Sequence, residues 1–141
     1  MSGVTYEDKK DWLNGYRRAL RRQRALELEV ERLQAEAERV TPLLTPALGR
    51  GGSGGGRLPM AVERIIESRQ DLERQIFDCQ RVRAQIMAAI ATVPDERLQD
   101  VLRLKYISGL TYECIAEQLN CSDKWAKHLH RKAVEFLVVP L

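Results

Sequence analysis

Three features of this 141-residue chain predict an all-α fold. Two long stretches place apolar residues alternately four and three positions apart, the spacing of helices that pack along a seam. A stretch rich in Pro and Gly separates them. The last third holds three shorter helical patterns punctuated by capping and turn residues. The predicted architecture is two long coiled-coil-like helices, arranged as an antiparallel hairpin, followed by a C-terminal three-helix unit of the helix-turn-helix kind. The expected boundaries are 5–40 for long helix 1, 41–59 for a flexible linker, 60–92 for long helix 2 and 93–141 for the C-terminal domain.

Thr5 suits the N-cap of the first helix, and from there to Val40 the chain has no Pro and only Gly15. Its seam runs through Trp12, Tyr16, Ala19, Gln23, Leu26, Val30, Leu33, Ala37 and Val40. At 1.5 Å per residue such a helix is about 54 Å long. Pro42, Pro46, Pro59 and the run GRGGSGGGR then make a composition expected to be flexible coil. That run has no Gly-Lys-Ser/Thr and no preceding strand, so it is no phosphate loop. The second seam is read through Val62, Ile65, Leu72, Ile76, Cys79, Ile86, Ile90 and Val93, with Arg69 and Arg83 interrupting it. The two helices can bury their seams on each other as a hairpin or on a second chain as an intermolecular coil. In the hairpin, the start of the first lies beside the end of the second.

Beyond Val93, Pro94 suits a helix entry, and Leu98, Val101, Leu102, Leu104 and Tyr106 recur at helical spacing until Gly109 supplies a break. Thr111 suits an N-cap, and Ile115, Ala116 and Leu119 form the buried stripe of the next helix. Asn120 and Cys121 make the turn. Ser122 is a second N-cap, Asp123 favours the positive end of the helix dipole, and Ala126, Leu129, Ala133 and Leu137 form the core face of a third helix. Its other face carries Ser122, Asp123, Lys124, Trp125, Lys127, His128, Arg131 and Lys132. A helix of this layout fits the major groove of double-stranded DNA, where Lys and Arg bond guanine or phosphate and the N-terminal residues reach base edges.

Pro94, Glu96 and Arg97, then VLRLKYISGLTYECIAEQLN, then Ser122 to Ala133 resemble the promoter-recognising fourth region of bacterial sigma factors. They resemble still more closely a phage and prophage family of sigma-factor-like transcriptional regulators. YISGLTYE, the following IAE and the LHRKA ending carry most of the likeness. The long helix, Gly/Ser-rich joint and second long helix are similar to that family's layout as well. Cys114, where a second acid is usual, and Trp125, where a smaller or basic side chain is usual, depart from the pattern. The resemblance implies control of phage genes, late ones in particular, with the helical region dimerising the protein or touching bacterial RNA polymerase.

Composition agrees with a small regulator. The chain is 44% hydrophobic and 30% charged, and its net charge of +3 permits nucleic-acid binding without demanding it. Cys79, Cys114 and Cys121 form no disulfide framework, and there is neither a signal-peptide pattern nor a membrane-length apolar run. The expected compartment is the cytoplasm of a bacterial host, with no membrane association. Cys114, Cys121, His128 and His130 match no zinc spacing and are read as buried cysteines and surface imidazoles, His130 as a helix-packing residue and His128 as a phosphate contact. No cofactor and no metal are expected. No nucleophile stands at a recognisable spacing from a base, so the chain is not read as an enzyme.

Arg17, Arg18, Arg21, Arg22 and Arg24 form a basic cluster that a hairpin brings near the DNA-reading domain, where it extends a phosphate-binding surface. The same cluster also reads as an ordinary coiled-coil exterior, balanced by Glu27, Glu29, Glu31, Glu36 and Glu38. A homodimer suits the two half-sites that helix-turn-helix proteins bind. A second class of function, the DNA-recognising small subunit of a phage terminase, also joins a helix-turn-helix to oligomerising helices.

Overall fold

The computed structural model describes residues 3–48 and 57–140, with side chains described for 3–39 and 59–140. The Gly/Ser-rich joint at 49–56, expected to be flexible, lies outside the described residues. Six α-helices are described: α1 (Tyr6–Leu13), α2 (Gly15–Leu48), α3 (Arg57–Ala91), α4 (Glu96–Leu102), α5 (Tyr112–Leu119) and α6 (Asp123–Phe136). A π-helical turn, Arg103–Ile107, extends α4. The described residues contain no strand, and the fold is all-α as expected.

The first long helix begins as predicted. The Thr5 hydroxyl accepts the Asp8 N–H, and the Asp8 carboxylate accepts the Thr5 N–H, closing a capping box. A shallow break at Asn14 divides the expected single helix into α1 and α2. Asn14 keeps helical φ but flattens to ψ −5°, while its N–H still donates to the Lys10 carbonyl at 3.0 Å. The helix also outlasts its expected end at residue 40, since α2 continues through Pro42 and Pro46 to Leu48. Proline removes one donor but holds φ near the helical value, so it weakens a turn without forbidding it. At the other side, α3 starts at Arg57 and takes Pro59 into its first turn, where the missing N–H has no helical partner to lose.

The described chain forms two compact units. One joins Met1–Leu20 to Cys79–Leu141, and the other is Arg21–Asp78. In the second unit, Val30 is buried and Leu26, Leu33 and Ala37 are half-buried, so the first seam follows its predicted register. The α3 arm does not. Ser68 and Gln75 are buried there, with Ile65 and Leu72 half-buried, while Val62, Arg69 and Ile76 are exposed. The inward face therefore passes through Ser68 and Gln75 rather than Arg69 and Ile76. Burying an unpaired guanidinium costs several kcal/mol, whereas a small hydroxyl or a hydrogen-bonded amide is cheaply accommodated.

The first unit holds the main core. Leu98, Val101, Leu102, Tyr106, Ile115, Ala116, Ala126, Leu129, Ala133, Val134, Leu137 and Val139 pack with Leu13 from α1 and Ile86, Ile90 and Val93 from the end of α3. As the hairpin arrangement requires, the first turn of α2 lies by the last turns of α3, with a Cβ added at Gly15 falling 3.7 Å from Val82 Cγ1. The boundary expected at Val93 thus falls inside this core. The seam is continuous through Cys79, Val82, Ile86 and Ile90, with Arg83 left in solvent.

Candidate nucleic-acid interface

Local chemistry sets each joint of the C-terminal helices. Asp95, one residue later than the helix entry expected at Pro94, caps α4 by accepting the Arg97 N–H at 2.8 Å. The π turn closes with the Ser108 N–H donating to the Arg103 carbonyl at 3.0 Å, and Gly109 follows at φ +75°, a left-handed conformation that glycine adopts without strain. The guanidinium of Arg17 fills the space beside Gly109 and donates to the Ile107 carbonyl at 3.5 Å. Thr111 caps α5 through the Cys114 N–H at 3.2 Å, and Ser122 caps α6 through the Trp125 N–H at 3.0 Å. Between them Asn120 is left-handed, φ 54° and ψ 48°, and the Cys121 N–H returns to the Ala116 carbonyl at 3.0 Å. Ala116 and Ala126 are almost fully buried in the core that α5 and α6 share.

This packing turns one face of α6 outward. Ser122, Asp123, Lys124, Trp125, Lys127, His128, Arg131 and Lys132 are all exposed, and Ala126, Leu129, His130, Ala133 and Val134 are buried beneath them. The Trp125 and His128 rings stack with centroids 4.9 Å apart, giving a flat aromatic pair near the start of the helix. Lys127 lies 5.8 Å from the centre of the Tyr112 ring, which Lys105 approaches to 4.4 Å. Arg131 lies 5.3 Å from the Tyr6 ring and 3.4 Å from the Glu135 carboxylate. Aromatic faces steady cations without neutralising them, so the surface stays positive.

Sequence reasoning missed what stands behind that face. His130 is 1% exposed and hydrogen-bonds through Nε2 to the Tyr106 hydroxyl at 2.6 Å, with the Tyr112 and Tyr6 hydroxyls 3.3 and 3.5 Å from Nδ1. Burial, helped by the positive charges of Lys105 and Lys10, pushes its pKa down to about 4 and keeps the imidazole neutral. Burial likewise pushes the Tyr106 and Tyr112 hydroxyls up and keeps them protonated, so that on one side of the neutral ring a hydroxyl donates to the bare nitrogen and on the other side a hydroxyl accepts the ring N–H. Through Tyr6, and through Lys9 Nζ donating to the Glu135 carbonyl at 2.9 Å, α1 is fastened to α6. The only sequence signal was Tyr6 and Tyr112, at positions that patterning leaves unassigned, beside Tyr106 in the apolar pattern of the first short helix.

The predicted arginine cluster is divided. Arg17 is half-buried against the Gly109 turn, and Arg18 bonds the Asp11 carboxylate at 3.1 Å and its carbonyl at 2.8 Å. Arg21, Arg22 and Arg24 are exposed residues of the second unit, and Arg24 pairs with Glu27 at 3.3 Å. The expectation of buried cysteines is corrected at Cys114, which is exposed, while the burial of His130 agrees with its reading as a helix-packing residue. Among the described residues no three potential metal ligands converge, and no helix is long and apolar enough to cross a membrane.

Three short helices, each with a side-chain N-cap, a left-handed turn and an outward basic third helix constitute a helix-turn-helix. Residues 93–137 match the family model of Sigma-70, region 4, so this segment is a sigma region-four-like helix-turn-helix of the DNA-binding, transcription-related kind. Neither the curated proteins nor the solved structures contain a match to the chain.

Proposed function

We propose that the protein is a sequence-specific regulator of transcription that binds promoter or upstream DNA of phage or prophage genes, late ones in particular, as a homodimer. In this reading α6 enters the major groove, Lys124, Lys127, Arg131 and Lys132 meet phosphates or guanine edges, and Ser122 to Trp125 approach the bases. His128 reaches a phosphate. The helical region of α2 and α3 serves assembly or touches RNA polymerase. The observation that supports the reading best is the exposure of all eight residues of the α6 face on a fully packed helix-turn-helix.

Gel shift and fluorescence anisotropy test it. Lys127→Ala and Arg131→Ala remove exposed cations, so the fold is expected to persist while affinity falls. Each lost phosphate contact is expected to lower the slope of log K against log salt by about one unit. Unchanged affinity and unchanged slope in both variants would reject α6 as the reading helix. Mapping bound sites on the source genome separates the two classes of function. Sites upstream of a structural gene module support regulation, and sites beside a packaging start support a small terminase subunit instead.

A further inference from the structure

The second unit leaves an apolar stripe uncovered. On α3, Val62, Ile66, Ile76 and Phe77 are 44, 50, 39 and 75% exposed, and they lie away from the inward residues Ser68 and Gln75. Four such side chains on one stretch of helix are more than scattered surface apolar residues account for, and Phe alone brings a large area. Arg69 and Glu73 stand in the middle of the stripe, both exposed and neither with an ion-pair partner among the described residues.

We propose that this face of α3 is the homodimer interface, on which the α3 helix of a second copy of the chain packs antiparallel about a two-fold axis at position 71. The inference rests on the dimer in the proposed function and adds which surface makes it. The argument is the symmetry of the pattern. Residues 69 and 73 flank position 71 at equal distance, as do 66 and 76, and a two-fold contact places each residue opposite its mirror position. Arg69 then meets the partner's Glu73 and Glu73 meets the partner's Arg69, so both charges are matched twice. Ile66 meets the partner's Ile76 with Phe77 beside it, closing an apolar cluster on each side of the charged centre. A parallel pairing sets Arg69 on Arg69 and Glu73 on Glu73, which repel. A buried seam with a charged centre fixes register, and the antiparallel arrangement is the one these charges admit.

Light scattering on the full chain tests this. The parent is expected to be a dimer, and Ile66→Glu with Phe77→Glu a monomer whose circular dichroism matches the parent, since neither residue faces the unit's interior. Arg69→Glu and Glu73→Arg should each raise the dimer dissociation constant about tenfold or more. Mixed in equal amounts, these two variants should recover a heterodimer, because every cross pair is then opposite in charge. If the parent is a dimer that all these variants leave intact, the α3 face is overturned while the dimer stands. A parent that is monomeric at every concentration overturns both, and DNA binding through α6 is then judged by the recognition-helix variants alone.

Discussion

At the scale of single residues, His130 shows how the exposed face of α6 depends on what lies behind it. A charged imidazole there would stand buried among three tyrosines and near two lysines, so the neutral form is held and the folded pKa falls to about 4. The unfolded chain takes up its proton near pH 6.5 and the folded chain does not. Stability from this group is therefore complete above about pH 6.5 and is lost as pH falls towards 4. The full loss is about 3 kcal/mol, at a slope of up to about 1.4 kcal/mol per pH unit. Urea unfolding of the parent at several pH values across that window should show this slope, and His130→Gln should remove it whatever its own stability. Equal slopes in parent and variant would mean that the imidazole is not held neutral. DNA binding should weaken over the same range if the Tyr106–His130 bond positions α6.

At the scale of elements, the helix-turn-helix was legible because each joint is decided by chemistry within four residues. Thr111, Asn120 and Ser122 adopt the caps and the left-handed turn that their side chains favour. Ala116, 2% exposed, shows why the helices meet closely. Ala116→Glu puts a carboxylate between α5 and α6 and is expected to cost several kcal/mol, enough to unfold the C-terminal helices. Thermal melting and far-ultraviolet circular dichroism matching the parent would show that the α5 register is wrong. The face of α3 was less legible. Its heptads allow either the Ser68 and Gln75 register or the one a position further on, and apolar counting favours Val62 and Ile76 over two polar residues. The desolvation cost of Arg69 decides the matter, and a hydrophobicity pattern does not carry that cost. The His130 site was hidden for another reason, since Tyr6 and His130 are 124 residues apart and only tertiary packing joins them.

At the scale of the molecule, the unit that holds the helix-turn-helix joins residues 1–20 to residues 79–141. Leu13, Ile86 and Ile90 are each at most 1% exposed in the same cluster as Leu102, Ile115 and Val134, and Tyr6 and Lys9 hold α6 directly. A segment cut at Val93 loses the α3 and α1 walls of that core. Exposing several large apolar side chains costs about 1.5–3 kcal/mol each, a sum comparable with the whole stability of a small domain. Residues 93–141 alone are therefore expected to melt without a cooperative transition, although they span the entire region-four match. Residues 79–141 should recover part of the transition. Joining residues 1–20 to them through a short Gly/Ser linker should recover most of it, together with DNA binding in a gel shift. The measurement is calorimetry of the three pieces beside the full chain. If residues 93–141 melt as cooperatively and at the same temperature as the longest piece, α1 and the end of α3 are accessories, and the exposed face of α6 does not depend on how they pack against it.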